Sequence, residues 1–286
     1  MSEPTLILYH ENCPDGFGAA WAAWKKFGKR ARYIGVRHQE PPPPGLQGKE
    51  IYLLDFTYPL PIMRRLLKKN ARVSAIDHHL SAKEAILKTE KYSYSLKNSG
   101  AVLAWRYFHK ARPPLLLRYI EDFDLWRFRM PRTREVGAAL EVVPKNFRSW
   151  SRLAAALEKS AFRNKYIEKG KVILEYQKVL IEGLVKNADE VRFLGKRAHA
   201  LNSPILISEI GHALYTKFEP LALIWHERGG RLSVSLRSDG SVDVSKIARR
   251  FGGGGHREAA SFKVSAGRKP WRVLLKNGKR DIKKNK

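Results

Sequence analysis

The chain has 286 residues, 43% of them hydrophobic, enough for two domains or one large one with a sizeable core. Its 55 Lys and Arg against 27 Asp and Glu leave a net charge of +28, which points to a polyanionic partner, with plain solubility as the alternative. A single cysteine, Cys13, excludes an intrachain disulfide. No run of about 18 apolar residues exists to span a membrane, and the N-terminus enters a strand without a leader-like segment, so the expectation is a cytoplasmic protein with no membrane association.

Thr5 to Tyr9 reads as a short buried strand. A polar loop from His10 to Gly16 follows, and then an Ala-rich helix that stops at Gly28. This is the first half of a βαβ unit, with His10 and Asp15 at the strand's carboxyl end. Asp15 or Asn12 could equally be a helix cap, and Cys13 reads as a small packed thiol. Ala31 to Val36 is a second strand, followed by a loop stiffened by Pro41 to Pro44. Ile51 to Leu54 is a third strand ending at Asp55, and Leu60 to Lys69 is an amphipathic helix. Val73 to Ile76 is a fourth strand, and it runs into Asp77-His78-His79.

Parallel strands bring their carboxyl ends side by side, and ligands of open α/β sheets bind there. One terminal acid would be a cap. Several sets of Asp and His in one place repel unless a cation or protons intervene, and carboxylate with imidazole is a donor set for divalent metals. A further helix opens at Ser99-Gly100, with Trp105 and Phe108 read as core. The helix from Leu115 ends in Glu121-Asp122-Phe123-Asp124. Acids there oppose the helix dipole, which favours a functional reason over solvated surface.

Trp150 to Val185 reads as a helical connector interrupted at Gly170. Val191 to Leu201, Leu221 to Trp225 and the alternating Arg231 to Arg237 are strand candidates. Asp243 or Ser245 caps a helix over Lys246 to Arg250. Gly252 to Gly255 then offers backbone amides as an anion cradle, with His256 and Arg237 to add charge, and the following His-Arg-Glu-Ala-Ala reads as a helix start. The alternative for four glycines is a flexible loop. His212 reads equally as cleft-facing or structural.

The set His10, Asp15-Gly16, Asp55, Asp77-His78-His79 and Asp122 resembles the motifs of the DHH phosphoesterases. That superfamily includes RecJ exonucleases, nano-RNases and cyclic-dinucleotide phosphodiesterases. Gly252 to Ala260 resembles the glycine-rich signature of their DHH-associated C-terminal domain, so the resemblance spans residues 5 to 265. It implies two α/β domains: a doubly wound parallel sheet over 1–148 and a smaller mixed-sheet domain over 189–270, with a helical connector at 149–188 and a basic tail at 271–286. It implies two Mn²⁺ ions, or Mg²⁺ in their place, held by His10, Asp15, Asp55, His78 and Asp122. Asp55 would bridge the ions, and Asp122 would be preferred to Asp124. Asp77, His78 and His79 would be catalytic, and Arg237, Gly253, Gly254, Gly255 and His256 would bind substrate. One departure stands out: Cys13 occupies a place where many relatives carry an aspartate, so one ligand is missing. The expected substrate is a nucleotide or short oligonucleotide. Longer single-stranded nucleic acid, polyphosphate, or a non-catalytic binding role with a degenerate metal site are the alternatives. A monomer and a homodimer fit the chain equally.

Overall fold

A computed structural model describes residues 5–265 apart from residues 12, 38, 39 and 219. The basic tail expected at 271–286 lies outside the described residues. The chain divides into two compact units, Met1–Glu175 and Tyr176–Lys286.

The first unit opens with β1 (Thr5–His10), α1 (Pro14–Phe27), β2 (Ala31–Val36), β3 (Glu50–Leu54), α2 (Leu60–Lys69), β4 (Arg72–Asp77), α3 (Lys83–Ile86) and β5 (Lys91–Tyr94). Helices α4 (Gly100–Phe108), α5 (Leu115–Asp124), α6 (Thr133–Glu141) and α7 (Phe147–Glu158) follow. The sheet order is β2-β1-β3-β4-β5 and every pairing is parallel. Side chains alternate between its faces, as strand pleating demands. Ile7, Tyr52, Leu54 and Ile76 pack on one face with α1, α4, α5 and α7. Leu6, Leu8, Ile51, Leu53 and Val73 pack on the other with Met63 and Leu66 of α2. The sheet is therefore doubly wound, as expected. Trp21 of α1 stacks on Trp105 of α4 at 5.6 Å, confirming Trp105 as core. Because β1 is followed outward by β2 and the chain then returns to β3 on β1's other side, the β1/β3 boundary is the switch point where such sheets bind ligands.

The connector is helical but does not break at Gly170. The break falls at Lys159, whose backbone is extended, before α8 (Ser160–Val185). Gly170 stays helical for a packing reason. A Cβ there would lie 1.8 Å from the Glu135 carbonyl oxygen, so only glycine lets α8 approach the start of α6.

The second unit has the mixed order β10-β11-β9-β8-β7-β6, in which β7 and β8 (Leu221–Arg228) are parallel and the other pairs antiparallel. The single strand read over Val191 to Leu201 is a hairpin of β6 (Asp189–Phe193) and β7 (Lys196–Asn202). Its turn is Leu194-Gly195, both with positive φ, the backbone of a tight hairpin turn. Helix α9 (Ile207–Phe218) makes the parallel crossover and packs with Val185, Leu201 and Ile224. β9 (Arg231–Ser238) and α10 (Val244–Arg250) follow, and Asp243 caps α10 through the amides of Ser245 and Lys246. The expected helix start at His256 is not one. Gly254–Gly255 forms the short strand β10, which pairs with Ala260 and Ser261 of β11 (Ala259–Ser265). Sheet pairing overrides the helix propensity of the two alanines.

Candidate metal centre

Three neighbouring strands deliver the side chains. His10 ends β1, Asp55 follows β3, and Asp77 ends β4 just before His78 and His79. Asp55 adopts a left-handed backbone, φ 61°, while its amide still reaches the Ile76 carbonyl at 2.8 Å. Aspartate tolerates this conformation better than most residues, and it turns the carboxylate out of the sheet. Asp15 is in the first turn of α1. The cap of that helix is Cys13, whose Sγ accepts the Gly16 amide at 3.2 Å, while Asn12 lies outside the described residues. Gly16 is needed there because a Cβ would lie 2.1 Å from the His10 carbonyl oxygen.

Asp15 instead serves α4. Its two carboxylate oxygens accept the amides of Gly100 (2.7 Å) and Ala101 (2.9 Å). Asp55 also crowds this helix start, since a Cβ on Gly100 would lie 2.5 Å from Asp55 Oδ1. Two carboxylates thus share the positive end of one helix. Ser99 and Gly100 were legible in the sequence as a helix start, but not as a seat for these acids.

His78 is at the centre. Its Nε2 is 3.2 Å from Asp55 Oδ1, 3.6 Å from Asp15 Oδ2 and 3.6 Å from Asp124 Oδ2. Donor atoms of Asp15, His78 and Asp124 lie within 4.8 Å of one another, as do those of His10, Cys13 and Asp55. His10 Nδ1 is 3.5 Å from Asp55 Oδ2. Asp77 is fully buried: Oδ1 accepts the amides of His78 and His79 and meets His79 Nδ1 at 2.7 Å, and Oδ2 accepts the Thr57 hydroxyl at 2.9 Å. That contact places a proton on His79 Nδ1 and leaves Nε2 the basic nitrogen.

The acids at the end of α5 part company. Asp122, preferred on resemblance, spends its carboxylate on the amides of Arg129 and Met130, each at 3.0 Å, and on the Thr133 hydroxyl at 2.5 Å. It anchors the loop between α5 and α6. Asp124 is the one beside His78. Two residues on a helix point about 200° apart, so only one of the pair can face the strand ends.

Electrostatics follow from this crowding. Burial, then the Asp55 and Asp124 carboxylates, push Asp15 well above the usual range. Burial also opposes ionisation of Asp55, but the imidazoles of His10 and His78 outweigh it and hold that carboxyl well below the usual range. For His78, burial favours the neutral ring, yet Asp55, Asp124 and Asp15 together raise it to about 11. Burial and the Asp55 carboxylate push the Cys13 thiol well up, so Sγ–H donates to Asp55 Oδ2 at 3.3 Å. The donor set fits a divalent cation. Carboxylates and imidazoles are paired with few neutral donors, and buried Asp55 Oδ1 has no aligned hydrogen bond.

In the second unit, Arg237 donates to Ser208 Oγ at 3.0 Å and to the Leu236 carbonyl at 2.9 Å. His212 Nδ1 is 2.6 Å from Tyr215 Oη. Gly253 packs where a Cβ would lie 2.1 Å from the Ser261 carbonyl, and its amide reaches Ala248. Gly252 and Gly255 take positive φ. The glycines thus lie against the end of α10 and β11.

Residues 183–272 match the model of the DHHA1 domain family. The chain is 29% identical to an uncharacterised protein of Acanthamoeba polyphaga mimivirus, over 91% of this chain and 67% of that one. It is similar in structure to an exopolyphosphatase-related protein from Bacteroides fragilis (TM-score 0.48, 14% identity, 95% of this chain and 89% of that one). It is also similar to a pGpG-specific phosphodiesterase from Vibrio cholerae (TM-score 0.46, 12% identity, 92% and 94%). The stretch that matches the DHHA1 domain family lies within the second unit.

Proposed function

We propose that the protein is a Mn²⁺-dependent phosphoesterase that hydrolyses phosphoester bonds of short oligonucleotides or small nucleotides. The observation that carries the reading is the meeting of Asp15, Asp55, His78 and Asp124 at the switch point of a parallel sheet. Asp15, Asp55, His78, His10 and Asp124 would hold the metal, with Asp124 taking the place expected for Asp122. Divalent ions bound there would supply an activated water and neutralise charge developing on the phosphoryl oxygens.

The chain's own residues set the stage. Asp77 fixes the tautomer and orientation of His79, so that its Nε2 can receive or return a proton from a reacting or leaving oxygen. Thr57 and the amides of His78 and His79 satisfy Asp77, which keeps it a positioning group. The start of α4 steadies the two buried carboxylates. In the DHHA1 unit, Arg237, Gly253, Gly254, Gly255 and His256 are the candidate contacts to substrate phosphate.

The test is Mn²⁺-dependent turnover of dinucleotides, a 3′,5′-bisphosphonucleotide, long single-stranded DNA and polyphosphate, side by side. Faster turnover of the first two supports the reading. Turnover of polyphosphate alone, or of none with metal bound, contradicts it.

A further inference from the structure

Helix α2 (Leu60–Lys69) buries Met63 and Leu66 against the sheet and shows Arg64, Arg65, Lys68 and Lys69 to solvent. Positions i, i+1, i+4 and i+5 lie on one helix face. Among the described residues none of these four cations has an ion-pair or hydrogen-bond partner. The helix carries no acid at all.

This arrangement has a cost. Arg64–Lys68 and Arg65–Lys69 are like-charged i,i+4 pairs, which weaken a helix. On α8, Lys171 pairs with Glu168 at 2.7 Å and Lys178 with Glu182 at 4.0 Å. The helix dipole accounts for cations in the last turn, Lys68 and Lys69, but not for Arg64 and Arg65. Next to α2, Arg72 is neutralised by Glu50, and the exposed Lys83 and Lys88 are offset by the exposed Glu84 and Glu90. On this part of the surface the uncompensated charge is therefore concentrated on α2.

We propose that the solvent face of α2 binds the phosphate backbone of double-stranded nucleic acid, independently of hydrolysis. A membrane surface fits less well, because the apolar side of α2 is already packed and the exposed side offers nothing to insert. Single strands are gripped by aromatic side chains together with cations, and the exposed side of α2 carries no aromatic residue. A duplex keeps its bases stacked and presents phosphates outward, which suits a face made only of cations.

The experiment measures binding of a 20-base-pair DNA duplex to the full chain in EDTA across a salt series. The variants are R64Q/R65Q/K68Q/K69Q and, for comparison, K25Q/K26Q/K29Q/R30Q, which removes as many exposed cations from the end of α1. Loss of the α2 cations should lower the slope of log K against log salt by about 3 to 4 and weaken binding about tenfold or more at low salt. The pair R64Q/K68Q should give about half that change in slope. The α1 variant should change the slope by less than about 1. A single cooperative melting transition shows that each variant folds. Equal losses in both variants, no loss in the α2 variant, a larger loss for single strands than for duplex, or loss only for phosphatidylserine vesicles would each overturn the proposal.

Discussion

Asp122 and Asp124 provide the sharpest separation of structural from metal-binding roles. Asp122→Ala removes the acceptor for two amides and one hydroxyl, all in a buried setting. Hydrogen bonds to a charged acceptor contribute about 1.5–3 kcal/mol each, and three sharing one carboxylate do not add fully, so the expected loss is about 3–6 kcal/mol. For a unit of this size that is a fall in melting temperature on the order of 10 °C. Asp124→Asn should do the reverse. Its side chain is 30% exposed, and burial, with Asp55 nearby, holds its carboxyl above the usual range despite His78. Removing that charge should leave the metal-free melting temperature unchanged or slightly higher. Mn²⁺ affinity should fall by about tenfold to a hundredfold or more. Thermal melting with EDTA and Mn²⁺ titration of both variants would decide. An Asp122→Ala protein that melts like the parent but no longer binds Mn²⁺, or an Asp124→Asn protein with parental affinity, would refute the assignment.

Gly100→Ala should weaken Mn²⁺ binding by tenfold or more, since its Cβ would displace the Asp55 carboxylate at 2.5 Å; parental affinity in a titration would contradict the seat described for Asp55. In the metal-free protein His78 titrates near 11, against about 6.5 when unfolded. Its charged form therefore contributes stability that is complete below about pH 6.5 and is lost as pH rises toward 11. Because a metal ligand must be a neutral imidazole, binding at pH 7 should release about one proton or more, counting Asp15, and affinity should rise with pH. Calorimetry in two buffers of different ionisation enthalpy measures this, and identical heats would contradict it. Gly170→Ala should cost about 1–3 kcal/mol by forcing α8 away from the Glu135 carbonyl, a loss visible in urea unfolding.

Much of the first unit is legible in its amino acids because β1, β3 and β4 are short apolar runs that lead into a polar side chain, whereas the largely polar β5 gives no such signal. Strand order then puts His10, Asp55 and His78 together without further information. Legibility fails where a choice depends on rotation or pairing. Asp122 and Asp124 are indistinguishable by spacing until α5 is packed against the sheet. Cys13 could be assigned a cap only once the direction of its thiol was known. The residues after Gly255 favour helix locally, yet the pairing of Gly254 and Gly255 with β11 draws them into a strand. The seat that α4 offers Asp15 and Asp55 joins residues 85 positions apart in the chain, beyond any local pattern.

The most direct measurement of the central claim is a crystal structure of the Mn²⁺-soaked protein with anomalous data at the manganese edge. Manganese should be bonded to carboxylates of Asp55, Asp15 or Asp124 and to His78, with Asp122 still holding Arg129, Met130 and Thr133. Manganese absent from the ends of β1, β3 and β4, or ligated by Asp122, would contradict it.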